Sequence, residues 1–177
     1  VNFLHTFHAL MQQGQMSRAE YGPDTATRYL GWVSGYDKYE QAFPNRILGI
    51  KSIPINSEEG ILTMKHYLND HLDGSATGGV ACFTAAGPTN ISVIPSGLPE
   101  AGKHIVLNWQ PWATHGMTIV GYDDSIRYDL NGDGQCTNNI DITGDGIVNA
   151  QDWEIGAFKF ANSYGAWWAD GGYGYAL

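Results

Sequence analysis

Cations are the scarcest class of side chain in this 177-residue sequence: nine Lys and Arg stand against 18 Asp and Glu, a formal net charge of −9. A polyanion of that kind repels phosphate backbones, which excludes bulk nucleic-acid binding. Charge of either sign is thin, at 15% of residues, where a soluble domain usually carries about 25%. No apolar run approaches the roughly 18 to 20 residues of a spanning helix, so no membrane span is expected. Cysteine is nearly absent: Cys82 and Cys136 lie far apart in unrelated contexts and form no CxxC pair, which excludes a zinc ribbon or a dithiol redox motif. No initiator Met and no basic segment leading into an apolar stretch open the chain, so Val1 reads as a cut end. The one glycosylation sequon, Asn90-Ile91-Ser92, reads as a chance match. What remains is 43% apolar residues and 23 glycines, the profile of a loop-rich globular chain long enough for a single core.

The acidic excess is local. Residues 123–154 hold Asp123, Asp124, Asp129, Asp133, Asp141, Asp145, Asp152 and Glu154 against one base, Arg127, so the rest of the chain is almost balanced. A run of like charges is ordinarily a solvated face, but the spacing here argues for a cation. Asp141, Thr143, Asp145, Asn149 and Asp152 place side-chain oxygens at positions 1, 3, 5, 9 and 12 of a loop with Gly146 at position 6 and the Ile147 carbonyl at 7. That is the EF-hand pattern, and carboxylates so close repel one another unless a hard cation joins them. Asp152 in place of the usual Glu makes the loop resemble the calcium repeats of dockerins. Upstream, Asp129, Asn131, Asp133, Gly134 and Gln135 repeat the first half of the pattern. Position 12 of that register is Ile140, so the first loop is expected to borrow Asp141 or Asn139, giving two abutting sites that share ligands or one strong site and one weak. The alternative is two Asx-rich turns without metal.

Residues 1–50 are weakly periodic, with Tyr29, Trp32, Tyr36 and Tyr39 scattered and a stop at Pro44, and they read as surface-crossing chain with short elements. Asn56-Ser57-Glu58-Glu59 is a capping-box signal, and Ile61, Met64, Leu68 and Leu72 follow at helical spacing, predicting a helix over 57–72. Gly78-Gly79 breaks the pattern, and 80–85 reads as a buried strand in which Cys82 is a small core residue. Residues 88–111, rich in Pro and Gly, read as a long loop.

Two later segments carry chemistry. His115 opens an apolar strand, Gly-Met-Thr-Ile-Val, that runs into Gly121-Tyr122. Residues 156–175 then lead through Phe158-Lys-Phe-Ala to Asn162-Ser163-Tyr164-Gly165, a second Trp at 168, and Gly172-Tyr173. In this order and with these flanks the chain resembles the C-terminal lobe of the papain-like cysteine peptidases. The resemblance implies an α+β fold: an antiparallel, β-barrel-like lobe with a helix before it, spanning 1–177, with a calcium-loop insertion at 123–155. It places the family's catalytic histidine on His115 and its orienting asparagine on Asn162, with Tyr164 and Trp168 shielding the pair from water.

This sequence departs from the family in four ways. Tyr164 replaces a tryptophan, Ala169 replaces a glycine, and the acidic insertion lengthens the link between the histidine and asparagine strands. The nucleophilic cysteine and its oxyanion-hole glutamine are missing, since Cys82 is placed in a strand and Cys136 in a calcium loop. The resemblance therefore implies a cysteine endopeptidase acting on peptide or protein substrates whose Cys-bearing lobe lies upstream or on another chain, so that this chain alone is inactive. Calcium is the expected cofactor, ordering the link that holds Asn162 against His115. Sites of this modular kind suit millimolar calcium, hence a secreted or cell-surface location. The competing expectations are a calcium-binding module or pseudo-peptidase without chemistry, and a cohesin-binding dockerin, which the abutting loops disfavour.

Overall fold

The computed structural model describes residues 3–17 and 36–177, so Tyr29 and Trp32 lie outside the described residues. The chain divides into two compact units, Asn2–Ser52 and Ile53–Leu177. In the first, helix α1 (Phe3–Gln13) stacks Phe3 on Phe7 one turn later, ring centroids 5.5 Å apart. Gly14 ends it at φ 75°, its N–H donating to the Leu10 carbonyl. A Cβ there would lie 1.9 Å from the Ala42 carbonyl oxygen, so only glycine fits. Helix α2 (Tyr36–Ala42) runs into a 3-10 turn, Phe43–Asn45, that contains the expected stop at Pro44.

The second unit begins with helix α3 (Glu58–Asp70), inside the predicted span. Ser57 caps it, its Oγ accepting the Gly60 N–H at 3.2 Å. Ile61, Met64 and Leu68 are buried, and Met64 and Leu68 pack on Ile119. The helix stops earlier than the apolar spacing suggests: His71 and Leu72 both turn left-handed, at φ 56° and 65°, and Leu72 is exposed. The stop is thus made before Gly78-Gly79 is reached.

Six strands follow: β1 (Ala81–Ala85), β2 (Pro88–Val93), β3 (His104–Trp109), β4 (His115–Arg127), β5 (Ile155–Ala161) and β6 (Tyr173–Ala176). They form one open sheet in the order β1-β4-β5-β6-β3-β2, antiparallel except for the β3/β6 pair. The mixed α+β class expected from the sequence holds at this level. The two edge strands, β1 and β2, are joined by only Ala86 and Gly87. Laid flat, six strands would separate those edges by about 24 Å, whereas three Cα steps reach at most about 11 Å. The sheet must therefore roll until its edges nearly meet. The Phe83 ring in β1 accordingly touches Trp109 in β3, four strand positions away, with centroids 6.1 Å apart. Inside the roll, Val106, Met117 and Phe160 are buried, with Trp109 and Trp168 packed on them.

The structure corrects two expectations. Residues 88–111 are a hairpin, β2 and β3, and only its tip is loop; Ile94 and Lys103 close that tip, the Ile94 N–H donating to the Lys103 carbonyl at 2.9 Å. His104-Ile-Val-Leu-Asn-Trp109 is a β-forming run that the surrounding prolines and glycines obscured. Cys82 is exposed on edge strand β1 rather than in the core, because alternation along a strand puts it on the face opposite Phe83.

Candidate active site

His115 is the first residue of β4, paired with Ala85 of β1, and Asn162 follows the last residue of β5. The β4/β5 ladder sets Thr118 opposite Ala161. Carried three residues further, that register brings the chain after β5 alongside His115. His115 Nε2 and Asn162 Oδ1 lie 2.9 Å apart. An amide oxygen only accepts, so Nε2 carries the hydrogen and donates it, leaving Nδ1 for a second partner. Asn162 is buried at 8% exposure, and its N–H is held by the Gly172 carbonyl at 2.8 Å. The Tyr164 ring lies over the imidazole at a centroid distance of 4.9 Å and 21° between planes. Trp167, which the sequence reading passed over, continues the stack on Tyr164 at 6.3 Å and 9°. Trp168 is placed differently from Tyr164: its ring packs on Phe160, at 5.7 Å, and against Gly174. It belongs to the core beneath Phe160, and the ring over His115 is that of Tyr164.

Neither thiol of the chain stands at His115. Cys82 faces Thr118, three residues along the ladder from the partner of His115, about 10 Å away at strand spacing. Cys136 sits in the acidic insertion, where burial first and then the charges of Glu154 and Asp129 push its thiol up, so it stays protonated.

The insertion, between β4 and β5, contains two loops with the same hydrogen-bond plan. In the first, Asp129 Oδ1 accepts the Gly132 N–H at 2.7 Å and Oδ2 that of Gly134 at 2.9 Å. In the second, Asp141 Oδ1 accepts Gly144 at 2.7 Å and Oδ2 Gly146 at 2.8 Å. Asp133 and Asp145 each accept the N–H two residues on, from Gln135 and Ile147, both at 2.8 Å. Asn131 Oδ1 takes the Asp133 N–H at 3.0 Å, while the Thr143 hydroxyl leans on Asp141 at 3.4 Å.

The closing carboxylates also match. Asp152, fully buried, accepts from Ile142, Thr143 and Asn149, positions 2, 3 and 9 of its loop. Glu154, equally buried, accepts from Leu130 at 2.6 Å, Asn131 at 3.4 Å and Thr137 at 2.9 Å, the same positions of the first loop. The first loop is therefore closed by Glu154, and it borrows neither Asp141 nor Asn139; Asp141 already serves as position 1 of the second. Sequence spacing alone misses Glu154 because it lies well beyond position 12 and is returned to the loop by the start of β5. The Asp152 carboxyl is held below its ordinary value of 3.8, chiefly by the Thr143 N–H and then by Asn149.

Among the described residues no three His, Cys, Asp or Glu side chains gather into a metal-holding group. The pattern here draws instead on Asn, Thr and backbone oxygens together with carboxylates. The donor set is all oxygen, which suits calcium. In addition, the Thr137 hydroxyl, at position 9 of the first loop, is buried without a hydrogen-bond partner. Among the described residues no helix is long and apolar enough to cross a membrane.

In comparisons with known proteins, no family model, no curated protein and no solved structure matches the chain. The residues and their geometry carry the functional reading.

Proposed function

We propose that this chain is the histidine and asparagine lobe of a papain-like cysteine peptidase, with two calcium loops inserted between its catalytic strands. The observation that carries the reading is the 2.9 Å contact of His115 Nε2 with a buried amide oxygen under a stacked tyrosine ring, at the end of a rolled, mainly antiparallel sheet. Asn162 holds the ring in one tautomer and one orientation, so that Nδ1 is the nitrogen that exchanges protons. A thiol brought to Nδ1 gives up its proton there, and the resulting thiolate attacks the peptide carbonyl of the substrate. The imidazolium returns that proton to the leaving amine as the acyl group passes to sulfur. The neutral imidazole then takes a proton from water, whose oxygen attacks the thioester, and the acid departs from a thiolate once more paired with imidazolium. Tyr164 covers the ring and keeps water from the Nε2 bond. An amide is the appropriate orienter, since the resting pair is already thiolate and imidazolium.

The thiol is supplied by a Cys-bearing lobe of the same precursor, joined to this chain or cut from it as a second chain. Asp129, Asn131, Asp133, the Gln135 carbonyl, Thr137 and Glu154 would hold one calcium ion, and Asp141, Thr143, Asp145, the Ile147 carbonyl, Asn149 and Asp152 a second. Calcium there would neutralise the carboxylates and stiffen the link between β4 and β5, and it suits a secreted or cell-surface protein.

Co-expression with the remainder of the gene product, followed by assay on a fluorogenic peptide, tests the reading. Thiol-dependent cleavage should vanish in His115→Ala and fall about 10- to 100-fold in Asn162→Ala, in line with the usual worth of an acid–base group and its orienter. Cleavage that survives His115→Ala, or a full gene product without a second cysteine-bearing lobe, would overturn it. A second reading is a calcium module without chemistry; it is favoured by the distance of Cys82 from His115 and would be supported by that second outcome.

A further inference from the structure

The loop that carries Tyr164 is closed mostly on itself. The Trp168 N–H donates to the Gly165 carbonyl at 3.1 Å, the Gly172 N–H to Trp168 at 2.7 Å, and the Gly172 carbonyl receives the Asn162 N–H. Three residues in its second half, Ala169, Gly171 and Gly172, are left-handed, at φ 44°, 71° and 95°. Ala169 has a Cβ, and a residue of that kind keeps such a backbone only where its surroundings hold it. Between Ala169 and Gly171 stands Asp170. Its carboxylate reaches out of the loop to the start of β3: Oδ2 accepts the His104 N–H at 2.8 Å and Oδ1 lies 2.9 Å from His104 Nδ1. The Asp170 side chain is mostly buried, at 18% exposure, and His104 at 38% covers it. A two-point carboxylate bond of this kind fixes direction as well as distance.

We propose that Asp170 is a positioning residue for the His115–Asn162 pair, with His104 as its latch. It pins the far side of the loop to β3, and that fixes both the Gly172 carbonyl behind Asn162 and the Tyr164 ring over His115. The inference rests on the peptidase reading for its purpose, but the coupling it asserts is a property of this chain alone.

The test is NMR of the histidine ring signals in the 177-residue chain. Stacked under Tyr164, the His115 ring protons are displaced upfield, and Tyr164→Leu gives their unstacked position. Asp170→Ala is expected to move the His115 signals toward the Tyr164→Leu position. His104→Ala, which leaves the backbone bond to Asp170 intact, is expected to move them the same way by less. Asp170→Asn keeps an acceptor for the His104 N–H and should restore part of the wild-type shift. A merely structural role would broaden or move the Met64 methyl, which packs with Leu68 and Ile119 away from this loop; the proposal requires Met64 to stay in place while His115 moves. His115 signals unchanged in folded Asp170→Ala would overturn the proposal. Should that variant not fold, unchanged signals in both His104→Ala and Asp170→Asn would overturn it. Loss of the peptidase reading would show instead as absent thiol-dependent cleavage and would leave these shifts untouched.

Discussion

Glu154→Gln is the substitution that most directly probes the acidic insertion. The wild-type carboxylate is fully buried and accepts three backbone N–H groups, two on Oε1 and one, from Thr137, on Oε2. A glutamine can place its oxygen at only one of those positions, so an amide NH2 then faces a backbone N–H. One charge-assisted bond is lost and one buried donor left unpaired, together about 2–3 kcal/mol without metal. Calcium adds a separate term. A site with a dissociation constant of about 0.1 mM, in the range of extracellular modules, gains about 2.7 kcal/mol at a hundredfold excess of ion. For a unit of this size that is a rise of roughly 5–11 °C in melting temperature per filled loop. Titration calorimetry on the wild type should count two calcium ions and on Glu154→Gln one. The calcium-minus-chelator difference in melting temperature should fall by about half in the variant. Asp152→Asn should remove the other half. The reasoning is refuted if chelator leaves the wild-type melting temperature unchanged, or if Glu154→Gln still takes up two ions.

Other consequences are simpler to check. Ala169→Gly relieves a left-handed alanine at φ 44°, a cost of about 1–2 kcal/mol offset in part by the freer unfolded chain, so thermal denaturation should shift up by about 2–3 °C. The Tyr175 phenol is pushed up to about 12, by burial first and then by the Glu100, Asp123 and Asp170 charges. With the folded value above the unfolded one, its contribution is whole below pH 10 and is lost as pH climbs to about 12. Tyr175→Phe should flatten denaturant-measured stability across that window. The Asp152 carboxyl, held below 3.8, contributes stability above that value and loses it as pH falls through its depressed folded value; Asp152→Asn should be less sensitive to acid than the wild type in the absence of calcium. Ser57→Ala removes the α3 cap and should cost about 1 kcal/mol in urea denaturation.

Helix α3 was legible because the capping residues and the apolar spacing at Ile61, Met64 and Leu68 are both local signals. The strands β1, β4 and β5 were legible as apolar runs, and the meeting of His115 with Asn162 was implied by the family resemblance that the two segments carry. The β2/β3 hairpin was not, because Pro95, Gly97, Pro99 and Gly102 all fall in its tip and mask the run 104–109. A barrel-like sheet was expected only through the family resemblance; no local pattern carries the roll, since it depends on β1 and β2 being at opposite edges, a fact of long-range pairing. Glu154 was invisible for the same reason: the carboxylate that closes the first loop is brought to it by tertiary structure, not by spacing. His104 and Asp170 are each unremarkable in sequence and acquire meaning only through their contact.

The acidic insertion leaves β4 and rejoins β5 at one point: Arg127 faces Ile155 across the ladder, and the Tyr128 N–H donates to the Glu154 carbonyl at 3.0 Å. Its two ends are therefore as close as those of an ordinary hairpin turn. Residues 129–153 form a cassette, while Tyr128 belongs to the host, its ring packed on the Ile105 and Ile126 core and its hydroxyl on Ser92 at 2.8 Å. Replacing the cassette by a short Asn-Gly connection is expected to keep the register of the host strands. Evolution and protein engineering face the same low barrier there, and the histidine and asparagine strands would still meet.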